Sequence, residues 1–181
     1  MAQSEPLEDD VGSQQHRYMR MAIEQARKSP PKPTNFCVGA LLVDEAGPAG
    51  AILASGYTLE LPGNTHAEQC CFQKIAQAHG IPEDQIGNVI PATTVLYTTM
   101  EPCVERLSGN LPCLERVLRI TKGGGQVIRK VYTGVKEPSK FVNENNCEAR
   151  LKAAGIEQIH VTGFEDAILA VATAGHEKQG P

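Results

Sequence analysis

The chain has no tryptophan, only 4% aromatic residues, no long apolar run, no surplus of positive charge and no basic-then-apolar leader. These gaps narrow the function. A formal net charge of −4 and a pI near 5.7 argue against nucleic acid as a partner, since a large phosphate footprint needs a basic face. No apolar stretch approaches the roughly 20 residues of a membrane-spanning helix, so no membrane partner is expected. Residues Met1 to Asp10 are acidic, unlike a secretion signal, and a soluble cytoplasmic location is the expectation. Six cysteines in such a chain read as reduced thiols and metal ligands rather than as three disulfides.

What is present suits one domain. The 181 residues are 41% hydrophobic, enough for a sizeable core, and show no internal repeat. Residues 1–13 offer little apolar surface and read as a disordered acidic arm. A helix is expected over 14–28, with Tyr18, Met21, Ala22, Gln25 and Ala26 at helical spacing, stopped by Ser29-Pro30-Pro31-Lys32-Pro33. Strands over 36–43 and 51–55 form a hairpin pair. A helix from about His66 to His79 ends at Gly80-Ile81-Pro82. Further strands are expected over 93–98, 127–133 and 158–161, with helices over 111–120, 144–154 and 165–172. Gly123-Gly124-Gly125 lacks a phosphate-loop frame and reads as a flexible loop. This alternation points to a mixed α/β sheet with helices on both faces, and 173–181 reads as a flexible tail.

The chemistry concentrates in Thr65-His66-Ala67-Glu68, Pro102-Cys103 and Cys113. One imidazole and two cysteines supply three zinc ligands, and a catalytic zinc keeps its fourth position for water. Glu68 stands two residues after the histidine, placed to carry protons. Blander readings exist for each part. Thr65-x-x-Glu68 is also a capping box, and the two cysteines are also suited to burial as plain thiols. Cys37, Cys70 and Cys71 read as core, His79 as a structural residue near a helix C-terminus, and Cys147 is undetermined.

Taken together, these residues resemble the cytidine-deaminase superfamily. Its zinc nucleobase deaminases carry H-x-E followed by P-C-x-x-C; here nine residues separate Cys103 from Cys113. That wide interval, and Pro33-Thr34-Asn35-Phe36-Cys37-Val38-Gly39, are similar to the pyrimidine deaminases of riboflavin biosynthesis. Glu101-Pro102-Cys103-Val104-Glu105-Arg106-Leu107-Ser108-Gly109-Asn110 resembles the fungal form. The resemblance covers roughly residues 14–163.

It implies a three-layer α/β/α sandwich with a mixed five-stranded sheet, a deaminase domain over 14–172, and one zinc per chain on His66, Cys103 and Cys113. It implies a homodimer, and a reductase carried by a separate protein. The implied reaction replaces the C2 amine of 2,5-diamino-6-ribitylamino-4(3H)-pyrimidinone 5′-phosphate with oxygen, Glu68 shuttling the protons. Asn35, the Ala67 amide and the backbone at Glu101 are implied contacts to the pyrimidine. Arg106, Ser108, Gly109 and Asn110 are implied contacts to the ribityl phosphate, an ordinary Ser-Gly-Asn turn being the alternative. Two other functions stay open: deamination of another base, such as cytidine, guanine or tRNA adenosine, and a non-catalytic zinc-stabilised interaction module.

Overall fold

The computed structural model describes residues 8–48, 51–138 and 146–176. Five strands form one sheet in the order β2-β1-β3-β6-β7, namely β1 (Gly39–Asp44), β2 (Ile52–Tyr57), β3 (Thr94–Met100), β6 (Lys130–Val135) and β7 (Glu157–His160). β1 runs antiparallel to both β2 and β3, whereas β3, β6 and β7 are parallel. The sheet is mixed, as expected. Its parallel half requires crossovers, and helices α3 (Cys113–Arg119) and α4 (Cys147–Ala153) supply them.

Two cores flank the sheet. On one face Leu42, Leu96 and Val131 pack with Phe72 of α2 (Ala67–His79), Leu114 of α3 and Leu151 of α4. On the other, Leu41, Tyr97 and Tyr132 meet Tyr18, Met19 and Ala22 of α1 (Glu8–Ala26) and Ile168 of α5 (Glu165–Ala172). Each strand alternates sides with a period of two, so one run of apolar residues feeds both layers. Tyr97 and Tyr132, paired in the β3–β6 register, stack at 4.4 Å between ring centroids. The result is the expected three-layer α/β/α sandwich.

Several boundaries differ from expectation. α1 begins at Glu8, so the arm expected over 1–13 is helical from residue 8; residues 1–7 lie outside the described chain. Its buried face is Tyr18, Met19, Ala22, Ile23 and Ala26, while Met21 and Gln25 are only half-buried. Gly123 and Gly124, with φ of 58° and 81°, turn a two-stranded ribbon of β4 (Thr121–Lys122) and β5 (Gly125–Gln126). Positive φ at both central residues is what a tight hairpin turn demands, so these glycines are a built turn rather than a flexible loop. That ribbon delays entry to the main sheet. The strand expected at 127–133 starts at Lys130, and Val127 and Ile128 fill the α2/α3 core instead. A 3-10 helix, Glu83–Asn88, occupies what reads as loop, with Ile86 buried and Glu83 ion-paired to Arg116 of α3 at 2.7 Å.

The expected flexible tail is packed where it is described. The Phe36 and His176 rings lie 4.9 Å apart, and His176 Nε2 is 2.9 Å from the Asn35 carbonyl oxygen. Residues 177–181 lie outside the described chain.

α2 sits close against β2 because Gly56 has no side chain. A Cβ there would stand 2.3 Å from the Ala67 carbonyl and 2.9 Å from Cys70 Cβ. Gly56→Ala should therefore push back the start of α2. A loss of about 1–3 kcal/mol is expected, read as a lower urea midpoint at unchanged slope. An unchanged midpoint would show that α2 is free to shift.

Candidate metal and proton-transfer site

The loop between β2 and α2 delivers His66. Leu59 adopts the left-handed region (φ 66°), its N–H donating to the Thr65 carbonyl at 2.8 Å. Thr65 Oγ1 donates back to the Leu61 carbonyl at 3.0 Å. The hydroxyl is thus spent inside the loop, and the Thr65 capping-box reading falls away. His66 itself is the N-cap, extended at φ −94° and ψ 162°, with its N–H donating to Gln69 Oε1 at 3.3 Å. Glu68, released from capping, points inward toward β3. The Thr98 hydroxyl stands 3.2 Å from Glu68 Oε1 and donates to the Met100 carbonyl at 2.7 Å.

The cysteines arrive from the end of β3 and the start of α3. Pro112 caps α3 in an extended conformation and makes Cys113 its first helical residue. The Cys113 N–H donates to Cys103 Sγ at 3.3 Å, and the Leu114 N–H to the Cys103 carbonyl at 3.1 Å. Both sulfurs lie 3.5 Å from His66 Nδ1. Tetrahedral zinc, about 2.05 Å from nitrogen and about 2.3 Å from sulfur, holds such donors roughly 3.5 Å apart. The donor set fits the metal in kind and in spacing. Among the described residues it is the one cluster of three His, Cys, Asp or Glu able to hold an ion.

Electrostatics agree with that use. The Cys113 thiol, the His66 ring and the Cys113 amide hold the Cys103 thiol below its ordinary range against the opposing effect of burial. The same sulfur–sulfur contact, with burial, pushes Cys113 up, an effect that a bound divalent cation overrides by deprotonating its ligands. Burial, then the negative Cys103, raise Glu68 above the ordinary carboxylate range. A carboxyl so placed is readily protonated, as a shuttle must be. The other four cysteines are buried, with Cys70 and Cys71 thiols donating to the Tyr57 and Ala40 carbonyls. Cys147, open from sequence, is the wholly buried first residue of α4.

A cavity of about 330 Å³ opens beside this cluster. Of the anticipated contacts, Asn35, Glu101, Arg106 and Ser108 line it, together with His66, Glu68 and Cys103. Ala67, Gly109 and Asn110 are not on its wall; Gly109 (φ 77°) closes a turn by donating to the Arg106 carbonyl at 3.0 Å. The turn alternative for this insert thus describes its backbone, while Arg106 and Ser108 still face the cavity. Arg106 is buried, donating from Nη1 to Gln69 Oε1 at 3.1 Å and from Nη2 to the Asn64 carbonyl, with Nε unpartnered. Among the described residues its partners are neutral, so a buried positive charge has no anion beside it.

The sequence reading missed Glu137. It lines the same cavity, and its Oε2 is buried with no hydrogen-bond partner. Burial, and then the charges of Cys103, Glu68 and Glu101, push its carboxyl up to about 8. The nearest signal was Val-Lys-Glu-Pro after a strand, too common a pattern to single out.

Residues 12–127 match the family model described as the cytidine and deoxycytidylate deaminase zinc-binding region. The chain is 37% identical over 161 residues to the diaminohydroxyphosphoribosylamino-pyrimidine deaminase of Schizosaccharomyces pombe. That match takes in 88% of this chain but 35% of the yeast protein, so the chain spans about a third of that relative's length. Among solved structures it is similar to a C-terminal deletion mutant of Aspergillus oryzae Rib2 deaminase at pH 6.5. Identity is 48% and the TM-score 0.80, covering 90% of this chain and 92% of that one. A second structure of that deletion mutant, in complex with DARIPP, matches at 47% identity and a TM-score of 0.80, covering 91% and 92%.

Purified protein is expected to hold about one zinc per chain, as one three-ligand site requires. Cys103→Ser and Cys113→Ser should each lose most of it, and Glu68→Gln should keep it. Because the metal binds only the folded state, chelation should also lower the unfolding temperature. Stoichiometric metal retained in both serine variants would rule the ligand set out.

Proposed function

The chain belongs to the cytidine and deoxycytidylate deaminase family, and from that premise we propose that it deaminates C2 of 2,5-diamino-6-ribitylamino-4(3H)-pyrimidinone 5′-phosphate in riboflavin biosynthesis. The observation that carries the chemistry is Glu68, buried beside His66, Cys103 and Cys113 and facing one cavity with His66 and Cys103. The cavity volume is at the small end of the range for small-molecule sites, suiting one heterocycle with a polar chain. The substrate class is supported by the Aspergillus and yeast relatives and by the wide Cys103–Cys113 interval. Net acidity favours a small molecule over a nucleic acid. The proposed setting is a cytoplasmic homodimer; no helix among the described residues is long and apolar enough to cross a membrane.

His66, Cys103 and Cys113 would hold zinc, which supplies the Lewis acidity that makes water nucleophilic near neutral pH. Glu68 does the proton work. Its carboxylate accepts the proton of the water that attacks C2 and delivers it to the adjacent ring nitrogen. It then takes the remaining hydroxyl proton and gives it to the departing amine, which leaves as ammonia while the C2 carbonyl forms. Burial raises its proton affinity, and the Thr98 hydroxyl oxygen, its own proton given to the Met100 carbonyl, stands ready to accept from the protonated carboxyl. On the insert side, Ser108 is placed for ribityl hydroxyls, and the phosphate is assigned to Arg106. Support for that assignment is the buried guanidinium whose present partners are neutral and whose Nε is unpartnered. A structural zinc module would need neither a buried carboxylate beside the ligands nor a cavity.

Two measurements test this reading. With the phosphorylated substrate, wild-type protein should release ammonia, and Glu68→Gln should lose on the order of a hundredfold or more in turnover while its zinc stays. Near-normal turnover in that variant would return Glu68 to a structural role. Arg106→Ala should weaken the phosphorylated substrate roughly tenfold to a hundredfold, and the dephosphorylated one far less. An equal effect on both would place the phosphate elsewhere.

A further inference from the structure

Glu137 has no place in the proton shuttle, yet it is built into the same cavity. Its backbone is clamped where β6 leaves the sheet. The Glu137 N–H donates to Glu101 Oε1 at 3.0 Å, and the Glu101 N–H donates to the Val135 carbonyl at 2.9 Å. Gln158, on β7, donates from Nε2 to Glu101 Oε2 at 3.0 Å. Glu101 is itself buried, so this clamp ties the ends of three neighbouring strands and fixes the segment that presents Glu137. At the end of that scaffold, Glu137 Oε2 is buried, unpartnered and part of the cavity wall.

A buried carboxylate oxygen without a donor is costly, and a ligand that brings N–H groups relieves the cost. No cation ion-pairs with Glu137 among the described residues; the Val104 backbone N–H serves its carboxyl and leaves Oε2 as the unpartnered oxygen. The substrate class proposed above carries such donors. Besides the C2 amine that leaves, it has a 5-amine and the N–H of its 6-ribitylamino group. A cytosine ring has no amine at the corresponding carbon. We infer that Glu137 is a specificity-determining residue that accepts a hydrogen bond from the 5-amine of a diaminopyrimidinone, with Glu101 and Gln158 as the residues that position it. This inference rests on the reading of the chain as a deaminase of that class. The same logic explains the division of labour between two cavity carboxylates. Glu68, beside the metal ligands, moves protons; Glu137, held by its backbone at the end of β6, reads the ring.

The decisive comparison uses two pyrimidines that differ only in the 5-amine. One is 2,5-diamino-6-ribitylamino-4(3H)-pyrimidinone 5′-phosphate; the other is its 2-amino analogue. Wild-type protein should favour the diamino compound about twofold to tenfold in kcat/KM, the span set by one net hydrogen bond. Glu137→Ala should bring that ratio near one. Glu137→Gln, which keeps a neutral acceptor and nearly the same shape, should fall between and guards against a packing effect. Equilibrium binding of both compounds to Glu68→Gln, and to that variant combined with Glu137→Ala, reads the same ratio without turnover. An unchanged preference in both Glu137 variants, or none in the wild type, would overturn the assignment while leaving the deaminase reading intact. Failure of the wild type to release ammonia from either pyrimidine, with turnover of cytidine instead, would overturn both.

Discussion

The candidate metal site depends on two helix starts meeting. His66 caps α2, Cys113 opens α3, and Cys103 is bound to the α3 start through the Cys113 and Leu114 amides. Three electron-rich atoms at close range form an arrangement that a protein interior tolerates poorly without a cation. The surrounding fold is what holds them there. Gly56 lets α2 lie against β2, the Leu59–Thr65 loop turns His66 toward the sulfurs, and the parallel β3–β6 pair brings α3 back across the sheet. A disturbance in any of these reaches the metal ligands first.

The neighbouring cavity reads as a balance of unmet demands. Arg106 offers a buried positive charge with neutral partners, and Glu137 a buried oxygen with no donor. A ligand anionic at one end and rich in N–H groups at the other answers both. Arg106 also ties Gln69 to the Asn64 carbonyl, so within the fold only its Nε and Glu137 Oε2 are unmet.

Much of this was legible in the sequence because it is written locally. His-x-Glu fits a helix start, Pro-Cys follows a β-branched run, and the glycines and prolines mark where elements stop. The layer order followed from alternation of strands and helices. What escaped has a common physical cause: it depends on partners distant in the chain. Glu137 is fixed by Glu101, 36 residues away, and Glu101 in turn by Gln158, 57 residues away. The role of Thr65 turned on whether its hydroxyl met Leu61 or the helix, and the motif is compatible with both. Strand starts slipped where a local ribbon, β4–β5, intervened before the main sheet. The fit of α1 was misjudged by one position on its face because the sheet it covers, rather than its own periodicity, selects Met19 and Ile23.

The wall that carries Asn35 is fastened differently from the wall that carries the metal ligands. Cys37 N–H donates to the Ala172 carbonyl at 3.0 Å, and His176 reaches the Asn35 carbonyl and the Phe36 ring. Residues 33–37 are therefore held by the end of α5 and the turn that leads to His176. Local opening costs least near chain ends and most in the central sheet. The cavity is thus assembled from two separate supports, α2 and α3 on the side of His66, Glu68 and Cys103, and α5 on the side of Asn35.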